Sequence, residues 1–198
     1  MTRTALFDSI RPFAPDKRFS AAHVAAIDKL ADDFGLARTD APAAPTSDLP
    51  DDYWPMLAKI ESANRPYVKA ATSSGSGLYQ FISATWIGEG GTWGSDMSQA
   101  FGGLKPSTDE QTARAKTFTA KNAAYLRSKG IPINKASLYA AHFFGPVTAA
   151  KVIAADVKAR ADEIAGKPAT DANPSILRGK TVGQFLTWLN GKTGEWAR

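Results

Sequence analysis

Residues 53–86 read YWPMLAKIESANRPYVKAATSSGSGLYQFISATW, and the way this stretch divides decides the fold. Trp54, Leu57, Ala58 and Glu61 recur at i, i+3, i+4 and i+7, the spacing of one face of an α-helix. Asp52 or a neighbour caps that helix. Pro55 falls in the first turn, where proline is tolerated, and Pro66 predicts an end by about Arg65. Glu61 therefore sits on the inward face, close to the C-terminal end. Apolar neighbours disfavour the charged form of a carboxyl, and the negative end of the helix macrodipole acts in the same direction. A carboxyl that keeps its proton near neutral pH can serve as a general acid. Read instead as a surface glutamate, Glu61 carries no chemistry, so its surroundings decide its meaning.

Eleven residues later begins Thr72–Ile82, TSSGSGLYQFI. Its small residues and glycines let backbone approach a ligand closely. Tyr79 offers a ring face and a hydroxyl, and Gln80 offers both a donor and an acceptor, a set suited to sugar hydroxyls and an N-acetyl group. Ser83 to Trp86 opens the next helical turn.

Outward from this stretch the chain reads as mainly α. Residues 39–50, TDAPAAPTSDLP, read as an extended Ala/Pro-rich linker. They separate an N-terminal helical appendage, residues 1–38, from a body spanning 51–198. The appendage carries one amphipathic helix, capped at Ser20, with Val24, Ile27, Leu30 and Phe34 at helical spacing and a stop at Gly35. In the body, Ser107 to Glu110 is a capping-box pattern that opens a helix ending at Gly130. Asn134 caps an apolar helix through Phe144. A single helix is predicted over Val147 to Ala165, and a last one follows Thr181 and stops at Gly191. Gly88 to Gly103 is the place for a hairpin or a long loop.

Composition narrows the chemistry. Of 198 residues, 43% are hydrophobic and 22% charged, which is the balance of a globular chain. There is no cysteine and there are two histidines, His23 and His142, so thiol catalysis is excluded and a multi-histidine metal centre nearly so. The expectation is no metal and no cofactor. Gly179-Lys180-Thr181 and Gly191-Lys192-Thr193 lack the first glycine of a phosphate-binding loop, since Pro174 and Leu186 stand there. The net charge of +5 suits a polyanion. Lys and Arg form no stripe with interleaved aromatics, so nucleic acid is not the expected partner. No run of apolar residues is long enough to span a membrane.

Three motifs in order, Glu61-Ser62, then Gly75-x-Gly77-Leu78-Tyr79-Gln80-Phe81, then Thr85-Trp86, resemble the signatures of the lytic transglycosylases and goose-type lysozymes. Leu138-Tyr-Ala-Ala-His142-Phe-Phe-Gly145-Pro146 is similar to the family segment whose aromatic, usually tyrosine before Asn-Ala-Gly, packs near the catalytic Glu. Here His142 takes the tyrosine position, and Phe143-Phe144 replace Asn-Ala. Asn173-Pro174 and Thr181-Val-Gly-Gln-Phe-Leu-x-Trp188 look like the tail of phage-borne members. The resemblance covers about Tyr53 to Trp188 and implies a lysozyme-like helical fold.

The resemblance also implies cleavage of the β-1,4 bond between N-acetylmuramic acid and N-acetylglucosamine in peptidoglycan. Glu61 acts as acid and then as base, giving 1,6-anhydro ends. The implied substrate contacts are Ser76, Gly77, Tyr79, Gln80, Trp93, Tyr139 and His142. Trp93 reads equally as core, and His142 as an orienting partner of Glu61. A hydrolysing muramidase needs a second carboxylate within about 5–9.5 Å. Residues 62–88 contain none, which leaves Glu89, Asp96 and Asp109. A non-catalytic glycan-binding virion protein is the other alternative. The wall lies outside the cytoplasmic membrane, and Met1 to Phe19 lacks the apolar core of a secretory signal. The expectation is a phage endolysin that reaches the wall with the help of a holin-type pore protein.

Overall fold

The computed structural model describes residues 49–198 throughout and scattered positions between 6 and 33. The chain divides into two compact units, Met1–Ala43 and Ala44–Arg198. In the first, His23, Ala26, Ile27, Lys29, Leu30 and Asp33 are helical; the rest of the helix predicted from Ser20 to Gly35 and most of the 39–50 linker lie outside the described residues.

The second unit is mainly α. Among its described residues the nine α-helices are α1 Tyr53–Ser62, α2 Ser83–Gly88, α3 Thr108–Ser128, α4 Lys135–Phe144, α5 Pro146–Ala154, α6 Ala161–Ala165, α7 Lys167–Ala172, α8 Pro174–Leu177 and α9 Val182–Thr193. Among the described residues the only β pairings are isolated bridges. No helix among them is long and apolar enough to cross a membrane.

α4 is the axis of this unit. Asn134 accepts from Ser137 N–H while the Ser137 hydroxyl accepts from Asn134 N–H, so both orphan donors at the helix start are satisfied. Every residue from Ala136 to Ala141 is then buried. A helix apolar on all sides must be surrounded, and α3, α5 and α9 pack around it. α3 begins where the capping box placed it, with the Ser107 side chain accepting from Glu110 N–H.

Two expected boundaries change. The single helix over 147–165 is two, because 155–160 pairs with the segment before α9 instead of continuing: Ala161 N–H donates to Lys180 O, Val182 N–H to Ala159 O and Gly183 N–H to Val157 O, at 2.8–2.9 Å. Asp156 fixes the turn by accepting from Lys158 N–H at 2.7 Å, and Val157 is exposed. α9 runs through Gly191 and stops at Gly194, whose φ of 73° supplies the left-handed cap. The 88–103 stretch is a loop ending in a 3₁₀ turn at Ala100–Gly103.

Candidate active site

α1 ends one residue after Glu61. Ala63 and Asn64 both adopt left-handed backbone, at φ 52° and 61°. Their N–H groups reach back to Lys59 O and Ala58 O, and the Ser62 hydroxyl donates to Ala58 O. These bonds satisfy the final carbonyls without a glycine. The chain leaves the helix earlier than Pro66 alone predicts.

The loop that follows is clamped by one side chain of α3. Gln111, wholly buried, accepts from Leu78 N–H at 2.8 Å and donates to Pro66 O and Pro106 O at 3.1 Å. Gly77 lies against this clamp at φ 76°, and a Cβ there would stand 2.4 Å from Gln111 Oε1 and 2.5 Å from the Phe101 ring. Only glycine fits. Gln80 is also left-handed, at φ 49°, and its amide donates to Gly77 O at 3.0 Å and Val68 O at 3.4 Å. The loop thus presents Gln80 rigidly beside the end of α1.

α4 supplies the opposite wall. Tyr139 and His142, three residues apart, share a face, with their rings stacked at 6.5 Å and 17°. His142 Nε2 lies 3.9 Å from Glu61 Oε1. Burial holds the His142 ring below the ordinary imidazole value, against the opposing pulls of Glu61 and the Tyr79 backbone. Burial, then the nearby Glu61 carboxylate, push the Tyr139 phenol up. Tyr53, at the start of α1, is a second buried phenol within electrostatic reach of Glu61, and burial pushes it up too.

Glu61, Gln80 and His142 open together onto a cleft of about 520 Å³, whose wall is continued by Thr85 of α2, Phe118 of α3 and Asn173 at the α7–α8 junction. Phe143, Phe144 and Pro146 add an apolar side. Among the described residues, Glu61 is the one carboxylate in this lining. The other acidic candidates are engaged or remote from it. Glu89 receives Lys121 Nζ on both oxygens at 2.8–2.9 Å. Asp96 is held below the usual carboxylate range by hydrogen bonds from Ser98 and Gln99. Asp109 is exposed in the first turn of α3.

The remaining sequence candidates lie away from the cleft lining. Ser76 is fully buried; its hydroxyl donates to Ser74 O and accepts from Phe101 N–H, so it ties the loop to the 88–103 segment. Tyr79 is buried with its hydroxyl on Thr112. Trp93 packs on Phe101 at 5.7 Å, and its indole N–H is buried without a partner. Tyr139 is buried behind Glu61. Tyr53, Phe118 and Asn173 are additions. Phe118 had a visible signal as a lone large apolar residue amid Lys, Thr and Ala on α3. Asn173 had one in the Asn-Pro pair, which marks a turn.

Among the described residues no group of three or more His, Asp or Glu side chains converges as a metal-binding set. No known family model matches the chain.

Proposed function

We propose that the chain is a peptidoglycan lytic transglycosylase with a lysozyme-like fold, in which Glu61 is the single acid and base. The carrying observation is a lone carboxylate set in the wall of a cleft lined with amide, hydroxyl and aromatic groups. Such a lining suits an amino-sugar polymer: Gln80 and Asn173 match N-acetyl and hydroxyl groups, and the phenylalanines match the apolar faces of the rings.

With a glycan in the cleft, protonated Glu61 gives its proton to the oxygen linking N-acetylmuramic acid to N-acetylglucosamine, and the C1–O bond breaks. The substrate's own N-acetyl group supports the positive charge developing at C1. The Glu61 carboxylate then takes the proton of the muramoyl 6-hydroxyl as that oxygen bonds to C1. The product is a 1,6-anhydro end, no water is consumed, and Glu61 regains its proton. One carboxyl performing both transfers fits a cleft with one carboxylate. Hydrolysis by a carboxylate pair needs a second such group facing the same bond, and Glu89, Asp96 and Asp109 are all outside the lining. The excess of basic residues favours association with a negatively charged wall. A phage endolysin assisted by a pore protein is the biological setting we propose.

Glu61→Gln tests the assignment. Loss of general acid catalysis lowers the rate by about 10²–10⁴. The variant is expected to bind purified peptidoglycan and leave it turbid. A variant that clears it as fast as the parent contradicts the role of Glu61. A parent that binds and never clears points to the non-catalytic glycan-binding alternative.

A further inference from the structure

A carboxyl that gives up a proton and takes one back passes through two forms with opposite needs. The acid has a hydrogen to donate, and the carboxylate only accepts. In a buried wall, whichever form lacks its partner carries a desolvation cost. The α4 face behind Glu61 offers one group of each kind. The His142 ring is caged, edge-on to Phe81 at 6.3 Å and to Phe118 at 6.1 Å, and stacked on Tyr139. Its Nδ1 is sealed from solvent with no hydrogen-bond partner. Its Nε2 faces Glu61 Oε1 at 3.9 Å, so a hydrogen on Nδ1 would leave the Nε2 lone pair turned toward the carboxyl. The Tyr139 hydroxyl, buried and kept protonated beside the same carboxyl, has a hydrogen to donate.

We propose that Tyr139 and His142 are a positioning pair for Glu61, with His142 Nε2 accepting from the protonated carboxyl and the Tyr139 hydroxyl donating to the carboxylate left after proton transfer. The inference rests on the glycan-cleaving reading and deepens it: both residues act through Glu61 and not on sugar. The i, i+3 spacing on a fully packed helix fixes the two partners relative to one another, so neither has to be reorganised when the proton moves.

The test uses the full chain. Tyr139→Phe and His142→Phe each lower kcat on purified peptidoglycan by about tenfold or more, with KM within about twofold, because the lost contacts act on the transferring proton and not on substrate binding. His142→Gln restores an acceptor near the Nε2 position and recovers most of the loss. A second readout needs no turnover. The chain has two histidines, so ¹⁵N-histidine labelling gives two imidazoles, assigned with His23→Gln. Nδ1 of His142 is expected to carry the hydrogen, and Glu61→Gln is expected to shift the Nε2 resonance. Three results overturn the pair: either Phe variant retaining the parent's kcat, His142→Gln losing as much as His142→Phe, or an Nε2 resonance indifferent to Glu61→Gln. A parent that leaves glycan intact sinks the proposed function instead, and the nitrogen resonance still decides whether Glu61 and His142 are coupled.

Discussion

At the scale of single residues, the site is a problem of keeping charge out of an apolar wall. His142 shows the thermodynamic side of it. Burial, opposed by Glu61 and the Tyr79 backbone, holds its imidazole below the ordinary value of 6.5. Unfolding frees the ring to take up a proton, so below about pH 6.5 the unfolded chain binds more protons than the folded one. The contribution is complete above that pH and is lost as pH falls toward the folded-state value. His142→Gln, which cannot protonate, is expected to flatten the decline in Tm between about pH 7 and pH 5 relative to the parent. An equally steep decline in the variant would place the acid sensitivity elsewhere.

At the scale of elements, the loop between α1 and α2 is held by α3 more than by itself. Gln111→Leu keeps the volume but strands Leu78 N–H, Pro66 O and Pro106 O. The expected loss is about 3 kcal/mol or more, read as a lower urea midpoint at unchanged m. Cleavage is expected to fall by more than the loss of folded protein explains, since Gln80 rides on that loop; a variant with the parent's midpoint contradicts the clamp. Such long-range ties are what the sequence conceals. The local devices were readable in advance: the Ser107 and Asn134 caps, the Glu61 face of α1, and the proximity of Gln80 to Glu61. Ser76 falls among the substrate contacts that the resemblance implies, and only the fold reveals that Phe101, twenty-five residues away, donates its N–H to the Ser76 hydroxyl. The break at 155–160 was hidden for a similar reason. Ala, Val and Ile continue the helical period there, and pairing with 180–183 overrides it.

At the scale of the whole molecule, residues 44–198 contain the packed core, the cleft and all the residues assigned a role. α4 binds the unit together, with α3, α5 and α9 packed around it and its C-terminal end forming a wall of the cleft. This unit is expected to unfold in one cooperative calorimetric transition when expressed alone and to retain the cleavage activity of the full chain within about threefold. Separate transitions within 44–198, or a chain inert without residues 1–43, would show that the appendage completes the fold or the site.

The central claim is that one carboxyl at position 61 carries both proton transfers and that no water enters the product. Mass spectrometry of muropeptides released from purified sacculi tests it most directly. Anhydro ends are lighter than reducing ends by one water. The account predicts fragments ending in 1,6-anhydro-N-acetylmuramic acid, absent from the Glu61→Gln digest. Fragments carrying only reducing ends would contradict it, because they require a water activated by a second base.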